Sequence, residues 1–329
     1  ADIVHCHDNH TGILPAYLRD DGGPPTVFTI HNLAYHGLYA GSDFGLSGLH
    51  TDRFYGHSAF EFYGDFSLLK TGLIHADAIT TADRLILFRL MIHTLAERQG
   101  RYATFMPKPF SDKTGNGLHL HISLWTADTD EPLFVGTGDD SKGLGLSELA
   151  YQFIGGLVTH ARALVAVTNP IANSYKRMGV GAPTSGATWA PAYAAYGGNN
   201  RTQMIRIPEP DRIELRLGDG AANPYLALAA VLACGLDGID NAIDPGEPNR
   251  DNLYALAAEE VAARGIEVLP PTLLHAVDNL ATNDVLGAGL GMTSDGPYRD
   301  YYVRVKRDEF MAHHQEVTAG EVDQYLTMF

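Results

Sequence analysis

The sequence predicts an α+β protein, an antiparallel sheet with helices, preceded by a shorter α/β segment with a parallel sheet. Three observations predict it. Before about residue 81, short apolar runs alternate with helix-like stretches. Beyond it, strands alternate polar and apolar residues. Leu118-His119-Leu120-His121-Ile122-Ser123-Leu124 puts His119, His121 and Ser123 on one face and the aliphatic residues on the other. Arg212-Ile213-Glu214-Leu215-Arg216-Leu217 repeats the design with Arg, Glu and Arg on one face. Thirdly, long helix patterns separate and follow these strands.

In the first segment Ile3-Val4 is a short apolar run, and Thr11 to Leu18 reads as a helix. Asp20-Asp21-Gly22-Gly23-Pro24-Pro25 breaks the chain, and Thr26-Val27-Phe28-Thr29-Ile30 is a β-branched strand. Phe66 to His75 reads as a helix and Ala78 to Thr80 as a strand, which makes repeated βα units. Thr81-Ala82-Asp83 offers capping chemistry before a helix over Arg84 to Gln99, stopped by Gly100. Alternating strands are then predicted over Thr104 to Phe110, Leu118 to Trp125, Gln203 to Ile207 and Arg212 to Leu217. Helices are predicted over Glu148 to Val167, Pro224 to Gly235, Asn252 to Arg264, Thr272 to Ala281 and Arg299 to His313. The change of style near residue 81 is the candidate domain boundary, dividing the chain into 1–81 and 82–329.

Composition narrows the function classes. At 329 residues and 45% hydrophobic, the chain can pack a sizeable core. A net charge of −16 argues against a nucleic-acid surface, which needs a basic field, but leaves room for a local basic pocket. Cys6 and Cys234 cannot build a disulfide framework and read as thiols of a reducing, cytoplasmic protein. No apolar run reaches the length of a membrane span and no signal peptide is visible, so neither a membrane nor a nucleic acid is expected as a partner. Asn200-Arg201-Thr202 fits a glycosylation sequon, read as a chance match. Gly143-x-Gly145 and Gly287-x-Gly289-x-Gly291 are isolated glycine patterns without weight as nucleotide signatures.

The chemistry-bearing residues concentrate in the second part. Two imidazoles about 7 Å apart on one strand face suit an ion or a phosphate. Read singly, His119 and His121 are ordinary half-exposed residues, and Arg212-x-Glu214-x-Arg216 is a solvated ion-pair ladder. Their company changes the reading. Phe105-Met106-Pro107-Lys108-Pro109-Phe110 and Gly115-Asn116-Gly117 precede the histidine strand. Asn169-Pro170 with Asn173-Ser174-Tyr175-Lys176-Arg177, then Asn200-Arg201-Thr202 through Arg206-Ile207-Pro208, then Arg212 to Arg216 follow in order. Ala221-Ala222-Asn223-Pro224-Tyr225-Leu226-Ala227 and Gly235-Leu236-Asp237-Gly238-Ile239 close the series. This ordered set resembles the glutamine synthetase family.

The resemblance implies a partial catalytic domain of that family over 82–329. It implies an ATP-dependent ligase that phosphorylates the side-chain carboxylate of glutamate and lets an amine attack the γ-glutamyl phosphate. Phosphoryl transfer is positioning and charge neutralisation, which calls for Mg²⁺ or Mn²⁺ and a cluster of arginines. By resemblance His119 and Glu214 hold the metal that bridges the ATP phosphates, and His121 and Ser123 contact ATP. The resemblance likewise implies that Arg201, Arg206 and Arg212 clamp phosphate, Arg201 and Arg206 being the catalytic pair. By the same resemblance, Gly115, Arg177 and Arg216 bind glutamate. The family's assembly, if retained, implies a homo-oligomer. One departure concerns the amine. Where the family has a Gly-Tyr-Glu-Ala-Pro-like turn, this chain has Thr184-Ser185-Gly186-Ala187-Thr188-Trp189-Ala190-Pro191, without a carboxylate. That resembles the subgroup containing γ-glutamylmethylamide synthetases, so the acceptor is ammonia or a small alkylamine.

The first segment resembles a different family. Asp2-Ile3-Val4-His5-Cys6-His7-Asp8-Asn9-His10-Thr11-Gly12, Val27-Phe28-Thr29-Ile30-His31-Asn32-Leu33-Ala34-Tyr35, Glu61-Phe62-Tyr63-Gly64 and Leu69 to Asp77 are similar to bacterial glycogen and starch synthases. That implies an incomplete Rossmann-like glycosyltransferase fragment over 1–81, with His10 facing the sugar site. The family's Lys-x-Gly-Gly loop is absent, since Lys70-Thr71-Gly72 falls within a helix pattern. The chain therefore reads as a chimera. The paired glutamates that supply most metal ligands in the synthetase family are not found, and His119 with Glu214 falls far short of the usual six donors. The expectation is a ligase impaired in turnover; a glucosyltransferase fragment and a non-catalytic protein with a residual anion pocket are the alternatives.

Overall fold

The computed structural model describes residues 81–126, 131–138, 140, 142–178, 190–294 and 296–328, together with the backbone of five short strands before residue 81. His10 and the stretches predicted as helix over Thr11 to Leu18 and strand over Ala78 to Thr80 lie outside the described residues. So does most of the Thr184 to Pro191 turn, up to Trp189. The chain divides into two compact units, Ala1–Met91 and Ile92–Phe329.

In the first unit, β1 (Val4–His7) pairs in parallel with β2 (Thr26–Thr29), as the βα reading requires. Next come β3 (Leu38–Ala40), β4 (Glu61–Phe62) and β5 (Asp65–Ser67). They form an antiparallel sheet in the order β3-β5-β4. Phe66 and Ser67 therefore belong to a strand and not to the start of the predicted helix. Helix α1 (Thr81–Arg98) begins at the threonine expected to cap it, and the unit division falls inside it. Its stop at Gly100 is as expected: that residue has φ +65°, which favours glycine.

The second unit is a four-stranded sheet backed by helices. Its strands are β6 (Leu120–Ile122), β8 (Tyr196–Gly197), β9 (Ile205–Glu209) and β10 (Arg212–Leu215), in the order β6-β10-β9-β8. The β6-β10 and β10-β9 pairs are antiparallel, as predicted, whereas β8 joins the edge in parallel with β9. β7 (Tyr193–Ala194) pairs instead with β11 (Glu267–Val268). The predicted strand over Thr104 to Phe110 is irregular, because Pro107 and Pro109 supply no backbone donors to a ladder.

Ile205, Ile207, Ile213 and Leu215 are buried, and Leu120, Ile122 and Leu124 pack with them. They share one core with helices α2 (Glu148–Thr159), α3 (Ala161–Thr168), α4 (Pro224–Asp240) and α6 (Leu273–Ala281). Phe153, Leu157 and Leu164 are fully buried there, each worth roughly 2 kcal/mol of transfer free energy. Ser147 caps α2 by accepting from Ala150 N, and Asn223 caps α4 by accepting from Tyr225 and Leu226 N, with Pro224 in the first turn. α2 and α4 meet backbone to backbone: a Cβ built on Gly156 would lie 1.9 Å from the carbonyl oxygen of Cys234.

The helix predicted over Glu148 to Val167 is broken at His160. There Nε2 lies 2.8 Å from Asp237 Oδ2 on α4, and Nδ1 accepts from Asn283 Nδ2 at 2.9 Å. Asn283 in turn caps α7 (Asp284–Gly289). The region predicted as helix from Asn252 holds a 3-10 turn, Leu253–Ala255, and a short α5 (Ala258–Ala263). A two-stranded turn, β12 (Met292–Thr293) with β13 (Gly296–Pro297), leads into α8 (Tyr298–Gln315), and α9 (Ala319–Tyr325) follows. No described helix is long and apolar enough to cross a membrane.

Candidate active site

The site is built on the polar face of β10. The register sets Glu214 opposite His121 on β6 and opposite Arg206 on β9, so its carboxylate stands in the middle of the sheet. Three cationic or potentially cationic groups close on it. Arg206 Nη1 donates to Oε2 at 2.6 Å, and Arg216 Nη1 donates to Oε1 at 2.8 Å. His119 Nδ1 lies 2.9 Å from Oε1. Asn199 Oδ1 accepts from Arg206 Nε at 2.8 Å and holds that guanidinium in place. Burial alone would raise the Glu214 pKa. The hydrogen bond from Arg206 and the charges of Arg216 and His119 outweigh it and hold the carboxyl below its ordinary value. Burial and the charge of Arg216 keep His119 below the ordinary imidazole value, against the pull of Glu214.

Arg177 approaches from a separate element. It follows the 3-10 helix Ala172–Lys176 and is buried, with Nη1 donating to the Leu217 carbonyl at 3.4 Å. Burial pulls its pKa down, Asp219 opposes that, and Arg216 adds to it. The wall over Arg177 is the Gly115–Gly117 segment, held by Asn116 N donating to Pro107 O at 2.8 Å and by a β-bridge between Gly117 and Asp219. A Cβ on Gly117 would lie 2.7 Å from Arg177 Nη2, so no larger residue leaves the guanidinium where it is. These groups enclose a cavity of about 460 Å³ lined by Gly115, Gly117, His119, Arg177, Arg201, Arg206, Glu214 and Arg216 together with Thr114 and Ala190.

The structure thus brings together seven of the predicted site residues: Gly115, His119, Arg177, Arg201, Arg206, Glu214 and Arg216. His121, Ser123 and Arg212 do not line the cavity. His121 is exposed, Ser123 Oγ accepts from Trp125 Nε1 at 2.9 Å, and Arg212 pairs with Asp211 at 3.0 Å and Glu209 at 3.3 Å. Asp219 and Asn169 carry weight that no periodicity shows. Asn169 Nδ2 donates to Asp219 Oδ2 at 3.1 Å and to Leu217 O at 3.0 Å, beneath Arg177. The one sequence signal for Asp219 is an acid between two glycines directly after the arginine strand.

A strongly cationic cavity with one internal carboxylate is chemically suited to an anion. Among the described residues, the donors at the cavity do not fit a divalent cation. His119 and Glu214 offer two groups, and both Glu214 oxygens already accept from arginine. Among the described residues, no group of three or more His, Cys, Asp or Glu side chains could hold a metal ion.

Residues 71–325 match the family described as glutamine synthetase, catalytic domain. The chain belongs to the glutamine synthetase family. Residues 1–87 match a starch synthase catalytic domain. Among curated glutamine synthetase relatives, the glutamate–methylamine ligase of Methyloversatilis universalis is 45% identical over 253 residues, covering 77% of this chain and 55% of the relative. The glutamine synthetase of Rhizobium leguminosarum bv. phaseoli is 42% identical over 250 residues, covering 76% of this chain and 55% of the relative. The chain spans about half the length of the curated relatives it matches. A solved GmaS–ADP complex superposes with a TM-score of 0.67 at 44% identity, covering 80% of this chain and 57% of that one. The second unit is therefore part of a glutamine synthetase catalytic-domain fold.

Proposed function

We propose that the chain carries the nucleotide- and glutamate-binding side of an ATP-dependent glutamate–amine ligase, with turnover impaired. The observation that carries the proposal is the cavity that Arg177, Arg201, Arg206 and Arg216 line together with one carboxylate, Glu214, on residues within the family match. Arg177 and Arg216 would take the carboxylate of glutamate beside the Gly115 backbone, since a planar fork suits a carboxylate. Arg201 and Arg206 would neutralise the phosphoryl group as it moves to the γ-carboxylate, where fixed charge is worth most. His121, Ser123 and Arg212, further along β6 and β10, would meet ATP outside the cavity. The amine would then displace phosphate from the γ-glutamyl phosphate.

The acceptor proposed is methylamine or another small amine, with ammonia second. A relative named for methylamine at 45% identity and the Thr184 to Pro191 sequence without a carboxylate both support this order. The described donor set supports the reading of impaired turnover: phosphoryl transfer needs its charge neutralised by cations, and His119 with an arginine-bound Glu214 is a poor cation site.

The test is calorimetric titration of the full chain with ADP and with L-glutamate, beside a product assay with ATP, glutamate and either methylamine or ammonia. Both ligands are expected to bind, with product below detection. No binding of either ligand would overturn the reading, and robust amide formation would overturn the impairment.

A further inference from the structure

We propose that Asp219 is a positioning residue for the cavity: its buried carboxylate fixes the Arg177 guanidinium and the Gly115–Gly117 wall in the arrangement that accepts a carboxylate ligand. This rests on the reading of Arg177 and Arg216 as the glutamate-binding pair.

Asp219 is fully buried and does not line the cavity. A buried carboxylate is costly unless it is hydrogen-bonded and faces opposite charge. Here Ala221 N donates to Oδ1 at 2.9 Å, Asn169 Nδ2 donates to Oδ2 at 3.1 Å, and the Ser174 hydroxyl adds a third bond. Its own N–H donates to Thr168 O at 3.2 Å. Thr168 Oγ1 donates to Asn169 Oδ1 at 2.8 Å, which fixes which way the amide points. The Asn169 amide then reaches Leu217 O at 3.0 Å, and that same carbonyl accepts from Arg177 Nη1. One continuous path therefore runs from the Asp219 carboxylate through Asn169 and Leu217 to Arg177. A second path is the backbone bridge from Asp219 to Gly117, the residue packed on the same guanidinium.

Placement explains why a carboxylate is useful there. Arg206 and Arg216 already bond Glu214, so a ligand at those groups competes with an internal anion. Among the described residues no carboxylate forms an ion pair with Arg177. Asp219 supplies counter-charge from behind the wall, which stabilises a buried guanidinium while leaving its cavity side for a ligand. Burial raises the Asp219 pKa, and Ala221 N, Ser174 and the Arg177 charge act against that.

The test uses the full chain with Asp219→Asn, which keeps shape and removes charge. Titration with L-glutamate and with ADP separates positioning from general damage. Glutamate affinity is expected to fall about tenfold, the size of one charge-assisted hydrogen bond, with ADP affinity within about twofold of the parent. Equal loss of both ligands, or no loss of glutamate, overturns the proposal. If Asp219→Asn does not fold, Ser174→Ala decides. It deletes one donor to the carboxylate and should weaken glutamate alone by about threefold; unchanged glutamate affinity overturns the proposal. Failure of the unsubstituted chain to bind glutamate would instead remove the site reading on which the inference rests.

Discussion

Gly117 lies against the guanidinium of Arg177 so closely that a methyl group on it would sit 2.7 Å from Nη2 and 3.4 Å from His119 Nε2. The nearest obstacle is the far end of a long side chain, so the chain can fold around the methyl by moving Arg177. Gly117→Ala is therefore expected to lower glutamate affinity about tenfold while Tm falls by less than about 4 °C. Calorimetry and thermal melts read the two effects separately. A large loss of Tm with affinity intact would show that the wall, and not the guanidinium, gives way.

Glu214 pairs with both Arg206 and Arg216 on the sheet face, at 2.6 and 2.8 Å. Removing the charge of one partner in a buried ion-pair cluster weakens the compensation of the others. Glu214→Gln is expected to cost about 3 kcal/mol in urea unfolding. Added phosphate should restore part of that stability by binding the under-compensated arginines from the cavity, through mass action on the folded state. A cost below about 0.5 kcal/mol would mean that solvent screens the cluster.

Asp140 organises the loop before α2. Its carboxylate accepts from Lys142 N at 3.0 Å, Leu144 N at 2.5 Å, Gly145 N and Tyr151 Oη at 2.8 Å. Burial would raise its pKa, but these bonds, Tyr151 first, hold it below 3.8. A depressed carboxylate stabilises the folded state above its unfolded pKa and loses that effect as pH falls through the folded value. The stability gap between the parent and Asp140→Asn should thus be flat from neutral pH down to about pH 4 and close below it. Urea midpoints across that range measure it, and a gap that closes already near pH 6 would assign the effect to a histidine.

Cys234 is fully buried on α4, and burial pushes its thiol far above the ordinary range. Only thiolate reacts. In a Cys6→Ser chain, a thiol reagent at neutral pH should label nothing until denaturant is added, so labelling reports unfolding of the α2–α4 layer. Rapid labelling of the native chain would contradict the burial.

Much of the site is legible in the sequence because a strand with one wet face writes its exposure at period two. His119, His121, Ser123 and Trp125 are exposed while Leu120, Ile122 and Leu124 are half-buried, as the alternation states. The arginines could be read from the ordered blocks. Other features arise from partners distant in sequence. Apolar periodicity runs on through His160, and the helix break there depends on Asp237 and Asn283. Helices α7 and α9 are too short for periodicity to reveal, although Asn283 and Thr318 carry cap chemistry. The Thr104 to Phe110 alternation misleads because side-chain pattern says nothing of missing N–H donors, and Pro107 and Pro109 decide the matter. Asp219 belongs to no period; its role comes from Asn169 and Gly117 meeting it.

The contact of Gly156 with the Cys234 carbonyl has a bearing on directed evolution of this chain. Most core positions tolerate exchange because neighbouring rotamers can readjust. Here the neighbour is main chain, which has no rotamers to offer. A library randomised at Gly156 should return glycine alone among folded clones, whereas one randomised at Leu157 should return several aliphatic residues. The α2–α4 crossing is thus the layer's fixed datum, and diversity meant to reshape the cavity is better placed on β6, β9 and β10.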